Sequence, residues 1–142
     1  MKRKRFALVF GVLVLTAGAA LIAGCKHNKM KMYEGKYAGT WSIVTQINKQ
    51  QGSWSGTVDS SGNFNGTLSD DAEPGKSISF TLTVSTSGTV SGTIKRHGED
   101  GKNYLTEVRG SIKTGNVSGT LTLTVEGSSD VIGNGTITGK KQ

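Results

Sequence analysis

The sequence predicts an all-β fold: an eight-stranded antiparallel up-and-down meander that closes into a small barrel. Three observations predict it. The first is a recurring triplet of Gly, then Ser or Thr, then a large apolar residue. It stands at Gly39-Thr40-Trp41, Gly56-Thr57-Val58, Gly66-Thr67-Leu68, Gly92-Thr93-Ile94, Gly110-Ser111-Ile112, Gly119-Thr120-Leu121 and Gly135-Thr136-Ile137. The second is parity. In the first six copies an apolar residue also lies two places before the Gly, at Tyr37, Trp54, Phe64, Val90, Val108 and Val117. Apolar positions every two residues mark a strand with one buried face, and the Gly falls on that same face. The third is the punctuation: Gly, Asn and Asp, the residues that tolerate tight turns, separate the copies.

Taken in order, the chain opens on Met1-Lys2-Arg3-Lys4-Arg5 and an apolar run from Phe6 to Ala23. A charged start followed by an apolar stretch reads as an export signal, residues 1–24, helical and cleaved. Residues 25–35 show no sustained period and read as a short tether. The barrel domain is expected over 36–142. Its strands are expected at 36–45, 51–59, 63–70, 77–85, 89–96, 103–113, 116–126 and 130–140, with no helix after residue 25. The second and third are divided by Asp59-Ser60-Ser61-Gly62-Asn63, and the third and fourth by a turn at Pro74-Gly75. The fourth, Ser77 to Val84, alternates cleanly without a Gly. Ser85-Thr86-Ser87-Gly88 and Thr114-Gly115-Asn116 supply further turns. The eighth carries Gly133 where an apolar residue would complete the unit.

Short connections make every pairing antiparallel. Eight strands, each with one apolar face, must hide that face. A closed barrel does so and leaves no edge; a two-sheet sandwich is the alternative, but it usually needs crossovers. The inward glycines would let strands bend, leave room for a bulky neighbour, or leave a cavity.

The chain carries a formal net charge of +7. Seven of its basic residues precede Met32, and from there on ten Lys/Arg face ten Asp/Glu. The basic balance therefore reports export and membrane contact. Nucleic-acid binding, which needs a basic stripe on the fold itself, is not expected. A single cysteine excludes an internal disulfide.

The stretch Leu21-Ile22-Ala23-Gly24-Cys25 resembles the bacterial lipobox: an aliphatic residue, two small residues and a cysteine. The resemblance implies lipid on the Cys25 thiol, cleavage before it, and partnership with a membrane through two or three acyl chains, which hold firmly where one does not. A permanent membrane helix is the competing reading of the apolar run. Residue 26 is Lys rather than Asp. By the family's sorting rule this implies the outer membrane in a Gram-negative source and the plasma membrane in a Gram-positive one.

Catalytic residues are few. His97, beside Glu99 and Asp100, lies in a Gly-containing loop that reads as a solvated hairpin end. Asp70, Asp71 and Glu73 precede a turn that itself favours acidic residues. No metal site, cofactor or enzymatic activity is expected. Trp41, Trp54, Phe64, Phe80 and Tyr104, with Tyr37, share the inner face. They would form a filled core, or line a pocket for a small hydrophobic ligand or lipid. The alternative is an interaction module with a filled core, whose outer Ser/Thr/Asn face and loops 70–76 and 97–103 meet a protein or glycan. Gly39-Thr40-Trp41 and Asp59 to Thr67 resemble the opening of the calycins, the lipocalin and avidin-type barrels. That implies a barrel. No biotin site carries over, because no tryptophan follows Trp54.

Overall fold

A computed structural model describes residues 29–142. The segment read as an export signal, Cys25 and Lys26 lie outside the described residues. The described chain forms eight strands: β1 Gly35–Thr45, β2 Lys49–Val58, β3 Asn63–Asp70, β4 Glu73–Val84, β5 Thr89–His97, β6 Asn103–Lys113, β7 Asn116–Val125 and β8 Val131–Lys141. Each pairs antiparallel with the next, and β8 returns to β1, closing the barrel. The meander and its closure are as the sequence predicts.

The inner face follows the parity of the repeat. Tyr37, Trp41, Trp54, Phe64, Phe80, Val90, Ile94, Val108, Ile112, Val117, Leu121 and Ile137 are all buried in one core. The outward positions of β2, β4 and β7 are mostly Ser and Thr, a wall suited to water rather than acyl chains. Cross-strand register explains the glycines. Trp41 is opposite Gly52, Trp54 and Gly139 are opposite Gly39, Tyr37 is opposite Gly56, and Phe80 is opposite Gly66. Each of these four aromatic side chains lies over a neighbour that has none. A Cβ on Gly52 would sit 2.9 Å from Trp41 Nε1, and one on Gly66 2.7 Å from Phe80 Cζ. The glycines serve mainly as seats for bulky neighbours.

The two barrel ends differ. One carries the tight turns 59–62, 85–88 and 114–115 and the start of β1. Thr114 and Gly115 both have positive φ, 51° and 74°, as a two-residue hairpin turn requires. The other end carries the connections 46–48, 71–72, 98–102 and 126–130.

Three local expectations are corrected. Residues 29–31 form a helical turn inside the segment read as tether, where no helix was expected. Its Met30 is 5% exposed and belongs to the core. Its carbonyl accepts the Tyr33 amide at 2.9 Å, and the Tyr37 hydroxyl donates to the Tyr33 carbonyl at 2.8 Å. Burial, with the neighbouring Tyr33, pushes the Tyr37 phenol above its ordinary range. Together Met30 and Tyr33 plug this end; a Cβ on Gly62 or Gly88 would meet them at 3.0 and 2.9 Å. Met30 and Met32 each follow a lysine, yet only Met30 is buried, so its burial leaves no trace in the pattern. The second correction is the β3–β4 turn. It falls at Asp71-Ala72, where Asp70 Oδ1 accepts the Ala72 amide at 2.9 Å, and Pro74-Gly75 lies within β4. Proline is tolerated there because a register shift at Ser69/Asp70 interrupts the ladder. Third, β2 begins two residues earlier than the repeat indicates.

One seam is nearly open. β4 and β5 pair only through Thr83↔Ser91 and Val84↔Val90, whereas the other ladders run for seven to ten pairs. Beyond Ser91 no residue of β5 is paired with β4, and Glu73 to Ser77 is exposed throughout. An ion pair crosses the gap above, Lys76 Nζ to Glu99 Oε1 at 3.6 Å.

Candidate functional site

The loop-bearing end is the candidate site. It is built in three layers. The lowest is solid: Tyr37, Trp54 and Phe80 ring Phe64 edge-on, with centroids 5.6–5.9 Å apart. Such edge-to-face contacts suit aromatic quadrupoles, and Phe64 is 1% exposed. Above it lies an apolar cavity of about 50 Å³ among Trp41, Trp54, Phe80, Leu82, Ile94 and Ile137. The two indoles that bound it are fixed by hydrogen bonds to backbone: Trp41 Nε1 donates to Ser69 O at 3.0 Å, and Trp54 Nε1 to Thr138 O at 3.1 Å. No buried polar side-chain atom lacks a partner among the described residues. The top layer is a wide cup of about 1100 Å³.

Two kinds of surface line the cup. On the side where β1 meets β8, Ile47 (91% exposed) and Val131 (53%) form an apolar lip, with Ile132 beside them. Ile132 lies where the β7–β8 register shifts at Leu123/Thr124, so no residue of β7 pairs with it. The opposite side is charged. Arg96 lines both cavity and cup, and its guanidinium stacks over the Tyr104 ring, 5.8 Å from the centroid. The Tyr104 hydroxyl donates to Asp100 Oδ2 at 2.5 Å, and the Lys102 amide donates to Asp100 Oδ1 at 3.1 Å. The first of these bonds holds the Asp100 carboxyl below its usual range and the Tyr104 phenol above its own. Outside the cup, Lys95 holds the Glu126 carboxyl low. His97 Nδ1 lies 2.8 Å from Asn103 Oδ1, its partner across the β5–β6 hairpin.

The five aromatic residues singled out from sequence separate by depth. Trp41, Trp54 and Phe80 bound the cavity, Phe64 belongs to the solid layer below, and Tyr104 stands at the rim. Sequence reasoning missed Arg96 and the apolar lip. Arg96 was readable, being two places beyond the inward Ile94; the lip was not, since it depends on the β8 irregularity. Comparison with family models, with curated proteins and with solved structures gives no match.

Proposed function

We propose that the chain is a bacterial lipoprotein, anchored through lipid on Cys25, whose barrel is a filled stand that holds its open end out to a protein partner. The observation that carries the display role is the disparity between the two spaces. The interior offers about 50 Å³ and the cup about 1100 Å³, while pockets for small organic molecules usually enclose roughly 300–1,000 Å³. Room for a partner is therefore at the rim. An apolar lip beside a charged border is also the usual composition of a protein-binding patch. The anchor rests on the lipobox and the basic, apolar run before it.

Photo-crosslinking in cells tests the display role. A crosslinker at Ile47 should capture a discrete protein. Ile47→Asp with Val131→Asp should abolish capture of that protein by a crosslinker placed at Ser129, with the fold intact by circular dichroism. Absence of any protein adduct at the lip sinks the reading. A second reading, a small hydrophobic ligand among Trp41, Trp54 and Phe80, is favoured by the apolar lining of the cavity. Native mass spectrometry of membrane-purified protein would reveal its adduct.

A further inference from the structure

The barrel separates its charges by end. At the plugged end Lys29, Lys31, Lys36, Lys113, Lys140 and Lys141 are all exposed, and only Glu34 and Asp59 oppose them among the described residues. None of the six is in an ion pair among the described residues. The open end has the opposite balance. Seven acids, among them Asp71, Glu99, Asp100 and Asp130, outnumber Lys49, Lys76, Lys95, Arg96 and Lys102. The six lysines of the plugged end come from the N-terminal turn, β1, β6 and β8, so the strand order, not a single charge run, gathers them on one face.

The chain enters the barrel at that same face. Cys25 precedes Lys29 by four residue steps, and fully extended backbone spans at most about 14 Å over that length. With Met30 packed into the barrel end, the reach from Cys25 to the fold is fixed within that bound.

We infer that the lysine-rich plugged end is a docking face for an anionic phospholipid surface, so that the barrel stands on the membrane with its cup turned away. The inference rests on the anchor reading only for the place of the lipid; the charge segregation belongs to the fold itself. The acyl chains hold the protein to the bilayer, and the lysines set its orientation. Attraction of basic residues to anionic headgroups acts within a Debye length, about 10 Å at 0.1 M salt. That range reaches this end of the barrel and not the other. The outward Ser and Thr of β2, β4 and β7 make much of the wall polar, and the exposed apolar residues Val44, Ile47, Val131 and Ile132 lie at the open end, away from the lysines.

The test uses the full chain, expressed and purified from membranes, and mass spectrometry first reads whether Cys25 carries lipid. The lipidated protein is reconstituted into vesicles of phosphatidylcholine with or without 30% phosphatidylglycerol. A donor dye is attached through Thr86→Cys at the plugged end or through Ser129→Cys at the open end, with an acceptor dye in the headgroups. Transfer should be stronger from position 86. The difference should grow with phosphatidylglycerol and shrink in 0.5 M salt. It should also shrink in Lys31→Gln/Lys113→Gln/Lys140→Gln, but not in Lys49→Gln/Lys102→Gln. Equal transfer from both positions in anionic vesicles, or no effect of the three lysines, overturns the inference.

If Cys25 proves unmodified, the anchor reading fails and the face is tested alone by cosedimentation of the same protein with the two vesicles. Binding to anionic vesicles only, weakened on the order of a hundredfold by the triple substitution at about fivefold per lysine, sustains it. No preference for anionic lipid refutes it.

Discussion

Trp54 on β2 donates its indole Nε1–H to the carbonyl oxygen of Thr138 on β8, two strands away, at 3.1 Å. It reaches that far because the positions it crosses have no side chains. Gly39 is its partner on β1, and Gly139 is the partner of Gly39 on β8. Trp41 does the same in the other direction, over Gly52 to Ser69 on β3. The short repeat is thus a packing rule. Between β1 and its two neighbours, and between Gly66 and Phe80, antiparallel register sets a bulky inward side chain against an empty position.

Filling one of these empty positions should therefore be costly. A Cβ on Gly139 would lie 2.4 Å from Trp54 Cζ2 and 2.6 Å from Ala38 O. The indole is tied by its hydrogen bond, and the carbonyl belongs to the ladder, so neither yields easily. Gly139→Ala should lose about 3 kcal/mol, the upper range for overpacking. Gly75→Ala, with nothing within 4 Å of the new methyl, should stay within about 0.5 kcal/mol of wild type. Urea unfolding followed by tryptophan fluorescence checks both. Equal stability of the two variants would contradict the seating role.

The N-terminal turn should behave as part of the fold. Met30 is buried against the plugged end, while Met32, two residues on, is 66% exposed. Met30→Ala should destabilise the barrel by about 2 kcal/mol, the low end for buried Met→Ala because the site is at the end of the core. Met32→Ala should change little. A linker-like segment would give two silent substitutions in the same urea titrations.

These two pairs also mark how far the sequence could be read. Trp41, Trp54 and their opposing glycines were legible because strand parity is local, and parity alone fixes which side a residue faces. Closure was legible because one-faced strands with short connections have few ways to hide that face. Met30 was not, since nothing in Lys29-Met30-Lys31-Met32 distinguishes the buried methionine from the exposed one. The start of β4 was hidden by Pro74-Gly75, which reads as a turn unless the register shift at Ser69/Asp70 is known. The size of the cavity depends on how the Trp41 and Trp54 indoles lie, which no spacing encodes.

The rim contact between Tyr104 and Asp100 should respond to pH at both extremes. Asp100 is held low, so its contribution is present above the ordinary carboxylate range, about 3.9, and is lost as pH falls through its folded value. Tyr104 is held high, so its contribution is present below the ordinary phenol range, about 10, and is lost as pH rises through its folded value. The hydrogen bond to Tyr104 is the largest cause of the Asp100 shift. In Tyr104→Phe the Asp100 carboxyl should therefore titrate higher than in wild type, nearer 3.9. Carboxyl carbon NMR titration reads this directly. An unchanged Asp100 midpoint would show that the backbone donor at Lys102 suffices without the phenol.

The seam between β4 and β5 should be the first part of the wall to open. Its ladder ends after Thr83↔Ser91 and Val84↔Val90, whereas β6 and β7 pair over ten residues. Residues 77–82 are all paired with β3, and none of them is paired with β5. Unpaired amides beside solvent exchange without waiting for global unfolding. Alternate amides over 77–82 should then exchange at least about a hundredfold faster than those in the middle of β7. Lys76→Ala, which removes the ion pair to Glu99 across the gap, should leave global stability within about 0.5 kcal/mol, because exposed pairs contribute little. If every second amide of this stretch proved as slow as the β6–β7 ladder, the seam would be zipped in solution and the parting of β4 from β5 wrong.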